Sequence, residues 1–183
     1  MRVIAIVGLT GSGKSEAAKI AKQRGYSILR FGDVTDWTLE EQGLPLTEAN
    51  ERKVREGLRE ELGMHAYAVK IYERILKLDT STVVLDGLYS WQEYTFLREK
   101  FGSDLYLLAT YTQKDIRYNR LTSREIRPLT LGEAHSRDVS EIENLAKGGP
   151  IAFADYLITN NKSLEELRDK VIKILDKITS KGP

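Results

Sequence analysis

Short, unbroken apolar runs alternate along the chain with longer segments of helical spacing. "RVIAIVG" (residues 2–8) is β-branched and closed by glycine, the pattern of a strand buried on both faces. Residues 14–24 follow with Ala17, Ala18, Ile20 and Ala21 on one helical face, and Gly25 as the stop. "YSILRF" (26–31), "STVVLDG" (81–87), "DLYLLATYT" (104–112) and "ADYLITN" (154–160) predict four more strands. Helical patterns cover 47–78, with a break at Gly63, then 91–100, 114–124, a polar segment reaching Lys147, and 163–177 capped by Ser163. "GGP" at 148–150 reads as a turn.

Five strands alternating with helices define an α/β protein with a parallel sheet and right-handed crossovers. Two charged stretches, about 34–62 and 122–148, fit the sheet poorly. They are expected to be irregular flaps over a site. Gly43 and Pro45 break any long helix in the first.

Composition narrows the partners. The 183 residues suit a single domain, and a formal net charge of +1 supplies no general attraction to nucleic acid or membrane. Without cysteine there is no disulfide, thiolate or Cys-based zinc chemistry. No run approaches the roughly 18 apolar residues of a membrane span, so a cytoplasmic protein is expected.

The chemistry begins at "GLTGSGKSEAA". Gly8, Gly13, Lys14 and Ser15 satisfy G-x-x-x-x-G-K-[ST], with a strand before and a helix after. Glycines at 8, 11 and 13 let successive backbone N–H groups turn inward on phosphate oxygens, and the helix start adds partial positive charge. Lys14 reaches the β- and γ-phosphates, and the Ser15 hydroxyl suits Mg²⁺. Asp86, closing the third strand, can orient Mg²⁺ or simply begin a turn. No guanine-type "NKxD" occurs. Arg117, Arg120 and Arg124 share a helical face (i, i+3, i+7), either as a lid over the triphosphate or as a solvated face paired with Asp115, Glu125 and Glu133.

In this order, "GLTGSGKS", "GD" after the second strand, "LDG", "RLTSR" and "ADYLITNN" resemble the P-loop nucleoside-monophosphate kinase group. Within it, the dephospho-CoA kinases and the archaeal-type adenylate kinase-related proteins are most alike. The resemblance implies a P-loop NTPase three-layer sandwich, with a five-stranded parallel sheet in the order 2-3-1-4-5. One domain spans 1–183, with an acceptor-binding insertion at about 34–80 and a lid at about 115–148. By position, Gly8, Thr10, Gly11, Ser12, Gly13, Lys14 and Ser15 would bind ATP phosphates. Arg120 and Arg124 would be lid arginines, and Asn160 would lie beside the adenine. Asp33, Arg59 and Asp86 would face the acceptor, with Ser15 and Asp86 at Mg²⁺.

The chain also departs from that group. Asp36 stands where adenylate kinases carry an arginine, and "DGLYS" replaces "DGFPR", which argues against AMP as acceptor. The His-Pro pair of dephospho-CoA kinases is absent, since His65 precedes Ala66. Asp33 can be a general base for a hydroxyl acceptor, a Mg²⁺-orienting group, or a helix cap. Two functions therefore fit: ATP- and Mg²⁺-dependent phosphoryl transfer to a small phosphorylated acceptor (a nucleotide or dephospho-CoA), or a regulatory ATPase with no such acceptor. Nucleic acid and membrane are not expected partners.

Overall fold

The computed structural model describes residues 1–180. The five strands are β1 (Arg2–Val7), β2 (Ser27–Arg30), β3 (Thr82–Asp86), β4 (Leu105–Tyr111) and β5 (Tyr156–Thr159). They form one all-parallel sheet in the order β2-β3-β1-β4-β5. The central strand β1 alternates its side chains between two cores. Val3, Ala5 and Val7 enter one, and Ile4 and Ile6 the other. On the second face, α1 (Lys14–Gln23) and α9 (Leu164–Ser180) pack Ala17, Ile20, Leu167 and Val171 against the sheet. The opposite face is covered by α2 (Asp33–Glu41), α3 (Glu48–Leu62), α4 (Ala66–Ile75) and α5 (Trp91–Phe101).

The region read as an irregular flap over 34–62 is therefore helical. It opens with α2, whose buried Val34, Thr35, Thr38 and Leu39 share one face, and stops before Gly43, as the glycine and Pro45 require. Thr47 caps α3 by accepting from the Asn50 amide, and Gly63 separates α3 from α4.

The second charged stretch contains α7 (Leu131–Glu143), started by a Thr130–Glu133 capping box. The expected "GGP" turn is a short helix, α8 (Gly148–Ala152), whose buried Pro150 sits in the first turn, where its missing N–H costs nothing. The crossover helix α6 (Lys114–Ser123) joins β4 to this region.

The chain runs β1, β2, β3 on one side and then crosses to β4 and β5. The switch point thus lies at the carboxyl end of β1, where parallel sheets open a crevice. The glycine loop occupies that point.

Candidate active site

Buried polar contacts hold the loop from behind. The Ser12 hydroxyl lies 2.8 Å from Thr110 Oγ1, and the Ser12 carbonyl accepts from Asn160 Nδ2 (3.0 Å) and Thr112 Oγ1 (3.1 Å). Ser12 is 1 % exposed, so its side chain braces the loop and does not face a ligand. Gly13 takes φ +99°, and a Cβ there would run into the Asn160 amide, so the loop needs glycine at this position. Gly8 has the same need, because a Cβ would sit 2.5 Å from the Thr110 carbonyl oxygen.

Three cavities near the loop bear on the site, beside a smaller one of about 280 Å³ behind Leu9 and Ser12. The first, about 500 Å³, is lined by Thr10, Gly11, Gly13, Lys14, Ser15, Arg120, Arg124 and Asn160. It gathers the donor-side residues from three separate parts of the chain. Arg120 donates to Thr112 Oγ1 (3.3 Å), and Arg124 to the Arg127 carbonyl (2.6 Å). Asn160 borders this cavity while its side chain is committed to Ser12.

The second, about 420 Å³, is lined by Ser15, Lys19, Lys22, Arg30, Asp33 and Asp86 among others. Arg30 lies 3.1 Å from Asp33 and 3.8 Å from Asp86, bridging the carboxylates. Burial pushes the Asp33 carboxyl above its usual range, against the pull of Arg30. No group of three or more His, Cys, Asp or Glu residues suited to a metal exists among the described residues. Mg²⁺ at a triphosphate needs only one or two protein oxygens beside phosphate and water, and Ser15 with Asp86 fits that requirement.

The third, about 740 Å³, is walled by Arg55, Arg59, Arg127 and Arg137 with Tyr67, Tyr89 and Glu141. Arg59 lies over the Tyr67 ring at 5.8 Å. Asp33 does not line this cavity, although its neighbours Gly32 and Thr35 do. Thus Asp33 and Arg59, which the sequence grouped together, border different spaces.

Arg117 corrects the reading of a basic face. It is 3 % exposed and clamps Asp138 with two bonds of 2.8 and 2.6 Å, and it also donates to the Thr10 carbonyl. Neither a lid cation nor one paired with Asp115, Glu125 or Glu133, it ties α6 to α7 and to the loop. His65 stacks on Phe96 at 5.3 Å, and Trp91 packs on Tyr94 and Phe153.

Glu141 and Lys147 were not legible as site residues. The Glu141 carboxylate accepts from the Thr10 amide (3.2 Å) and the Thr10 hydroxyl (2.5 Å), and Lys147 Nζ lies 3.1 Å from it. Burial opposes ionisation of Glu141, but Lys147, the Thr10 hydroxyl and Lys14 together hold it below its usual range. Lys14 donates to the Gly8 and Leu9 carbonyls at 2.8 and 3.1 Å. Burial, helped by the Lys147 charge, pulls Lys14 down to about 8. The only forewarning was that Ala134, Asp138 and Glu141 fall at i, i+4, i+7 on one face of α7. That face is buried, while Leu131 and Ile142 point to solvent.

A parallel 2-3-1-4-5 sheet with a glycine loop at its switch point defines the P-loop NTPase kinase fold. Residues 4–144 match the AAA domain family. The chain belongs to the UPF0200 family: it is 35% identical to UPF0200 protein TK1334 of Thermococcus kodakarensis over 98% of this chain and 99% of that one. The fold is shared with dephospho-CoA kinase from Campylobacter jejuni, at a TM-score of 0.61, 20% identity, and coverage of 97% and 98%. Shikimate kinase from Acinetobacter baumannii, in complex with shikimate, superposes at 0.58 with 19% identity, covering 98% and 94%. No helix among the described residues is long and apolar enough to cross a membrane.

Proposed function

We propose that this protein is an ATP- and Mg²⁺-dependent phosphotransferase acting on a small anionic acceptor. One observation carries the reading: Thr10, at the donor cavity, is bonded by two residues that line the acceptor cavity. Thr10 lines the first cavity, while Arg137 and Glu141, which both bond its hydroxyl, line the arginine-walled third. A regulatory ATPase has no need of a second arginine-walled cavity against its nucleotide loop.

In this reading the loop amides, Lys14 and Arg120 hold the triphosphate, and Arg124 closes over it. Arg55 and Arg59 grip the acceptor's phosphate, and Tyr67 and Tyr89 supply flat walls for the rest of that molecule. An acceptor oxygen attacks the γ-phosphorus as the bond to the β,γ-bridging oxygen breaks, and ADP leaves with the electron pair. When bound, Mg²⁺ neutralises charge on the phosphate oxygens, with Ser15 and Asp86 as its protein ligands. The position of Asp33 beside Ser15 and Asp86, away from the acceptor cavity, favours the metal-orienting role over that of general base. The dephospho-CoA kinase and shikimate kinase named above act on small acceptors, which agrees with an acceptor cavity here.

Labelled γ-phosphate tests the proposal, with ATP, Mg²⁺ and a panel of nucleoside monophosphates plus dephospho-CoA. Label is expected in one organic acceptor. Label found only as inorganic phosphate, unaccelerated by any acceptor, would sink it.

A further inference from the structure

The Glu141 carboxylate occupies a position built for phosphate. Loop amides of this type point at phosphate oxygens, yet the Thr10 amide is taken by Glu141 Oε2 at 3.2 Å and the Thr10 hydroxyl by Oε1. Around that single carboxylate stand three cations. Arg137 Nε is 3.6 Å from Oε1 and Lys147 Nζ is 3.1 Å from Oε2. Lys14 is near enough to feel both Glu141 and Lys147.

Lys147 is the unusual member. Its side chain is fully buried, and among the described residues its Nζ is held by a single ion pair, with Glu141 Oε2 at 3.1 Å. The other groups facing it are Arg137, whose like charge opposes its own, Glu93, a buried acid already bonded to the Tyr89 and Ser90 amides, and the Tyr89 ring at 5.1 Å. A buried ammonium held by one shared carboxylate is costly, and bringing it towards a second one, Lys14, raises the cost. An anion carrying more charge than one carboxylate would relieve both.

We propose that Glu141 stands in for the terminal phosphoryl group of the nucleotide, and that Lys147 is a second cation meeting that group once Glu141 is displaced. This rests on the phosphotransferase reading, which makes a triphosphate the ligand of the loop. It adds a catalytic lysine outside the glycine-loop motif and a carboxylate that competes with the substrate. The chain itself supplies the sign of the competition, since Glu141 and the γ-phosphoryl carry like charge and seek the same amide and the same three cations.

The test compares equilibrium binding of a non-hydrolysable ATP analogue and of ADP, each with Mg²⁺ and without any acceptor. Lys147→Met keeps the volume of the side chain and leaves Glu141 its bonds to Thr10. It should weaken the ATP analogue about tenfold or more while ADP affinity stays within about twofold. Glu141→Gln should tighten the ATP analogue severalfold and leave ADP unmoved. A merely structural role would shift both nucleotides alike. An unchanged ratio of the two affinities in Lys147→Met overturns the proposal, and so does a Glu141→Gln variant that folds but binds the ATP analogue no more tightly. If Glu141→Gln does not fold, Lys147→Met alone decides. Neither measurement involves transfer, so the proposal can fail while phosphoryl transfer stands. Wild-type protein that binds neither nucleotide would contradict the phosphotransferase reading itself.

Discussion

The two walls of the cleft are built in opposite ways. On the donor side the loop is clamped at Ser12 by buried, neutral hydrogen bonds from Thr110 in β4, Thr112 just after it and Asn160 after β5. On the acceptor side, Arg55 stands on α3 and pairs with the exposed Glu48. Neutral bonds in a dry interior fix a backbone to a fraction of an ångström, whereas exposed ion pairs contribute about 0–1 kcal/mol and exchange easily. A rigid donor wall faces an adaptable acceptor wall. That arrangement suits a protein with one invariable triphosphate to hold and a second molecule to admit and enclose.

The largest effect should come from Lys14→Met. Losing the ammonium proposed to meet the phosphates is expected to lower phosphoryl transfer by on the order of 10²–10³-fold. Thermal unfolding should show the melting temperature held or raised, because a buried cation whose pKa is already pulled down to about 8 has been replaced by an apolar side chain. A variant that unfolds instead would mean that Lys14 props the loop through the Gly8 and Leu9 carbonyls.

Next in size is Gly13→Ala. The strained φ should cost about 1–3 kcal/mol in chemical denaturation, and the added methyl pushes Asn160 off the Ser12 carbonyl. Gly57→Ala, on the helix that carries Arg55 and Arg59, meets open space and should stabilise by about 0.5–1 kcal/mol. Equal responses at the two glycines would erase the contrast between the clamped loop and that helix.

The smallest effect is one of pH. Glu93 is buried beneath the acceptor wall, caps α5, and is pushed up to about 7 by burial, against an ordinary value of 4.5. Between pH 4.5 and 7 the folded protein therefore holds a proton that the unfolded chain releases. The stability this group contributes is full below 4.5 and is lost as pH rises through 7. Glu93→Gln should remove that decline, so denaturation curves of variant and wild type should diverge as pH rises across this window.

The same contrast explains what could be read from the sequence. The donor wall is written locally: strand, glycine loop and helix are contiguous, and Gly8, Gly13, Lys14 and Ser15 each answer a backbone or charge requirement within eight residues. The inner strands β1, β3 and β4 were legible for the same reason, since burial on both faces demands unbroken apolar runs. The clamp behind the loop was not, because Thr110 and Thr112 carry no pattern distinguishing them from other threonines ending a strand. Among the arginines of α6 the spacing was visible but the partners were not. Arg117 resembled Arg120 in spacing, yet Asp138, twenty-one residues further on, buries one and leaves the other at the cavity. Glu141 and Lys147 lay hidden in a segment whose polarity suggested a solvated helix. Only the fold shows that α7 turns its acidic face inward, towards donors that an apolar face could not satisfy.

The central claim is that donor and acceptor are held by separate walls, and a two-substrate steady-state comparison of Arg120→Ala with Arg59→Ala tests it most directly. With the acceptor found in the labelling panel, Arg120→Ala should raise the KM for ATP about tenfold and leave that for the acceptor within about twofold. Arg59→Ala should do the reverse. If both variants moved the same KM, or if Arg59→Ala left acceptor binding untouched, the division of the cleft into a donor wall and an acceptor wall would be contradicted.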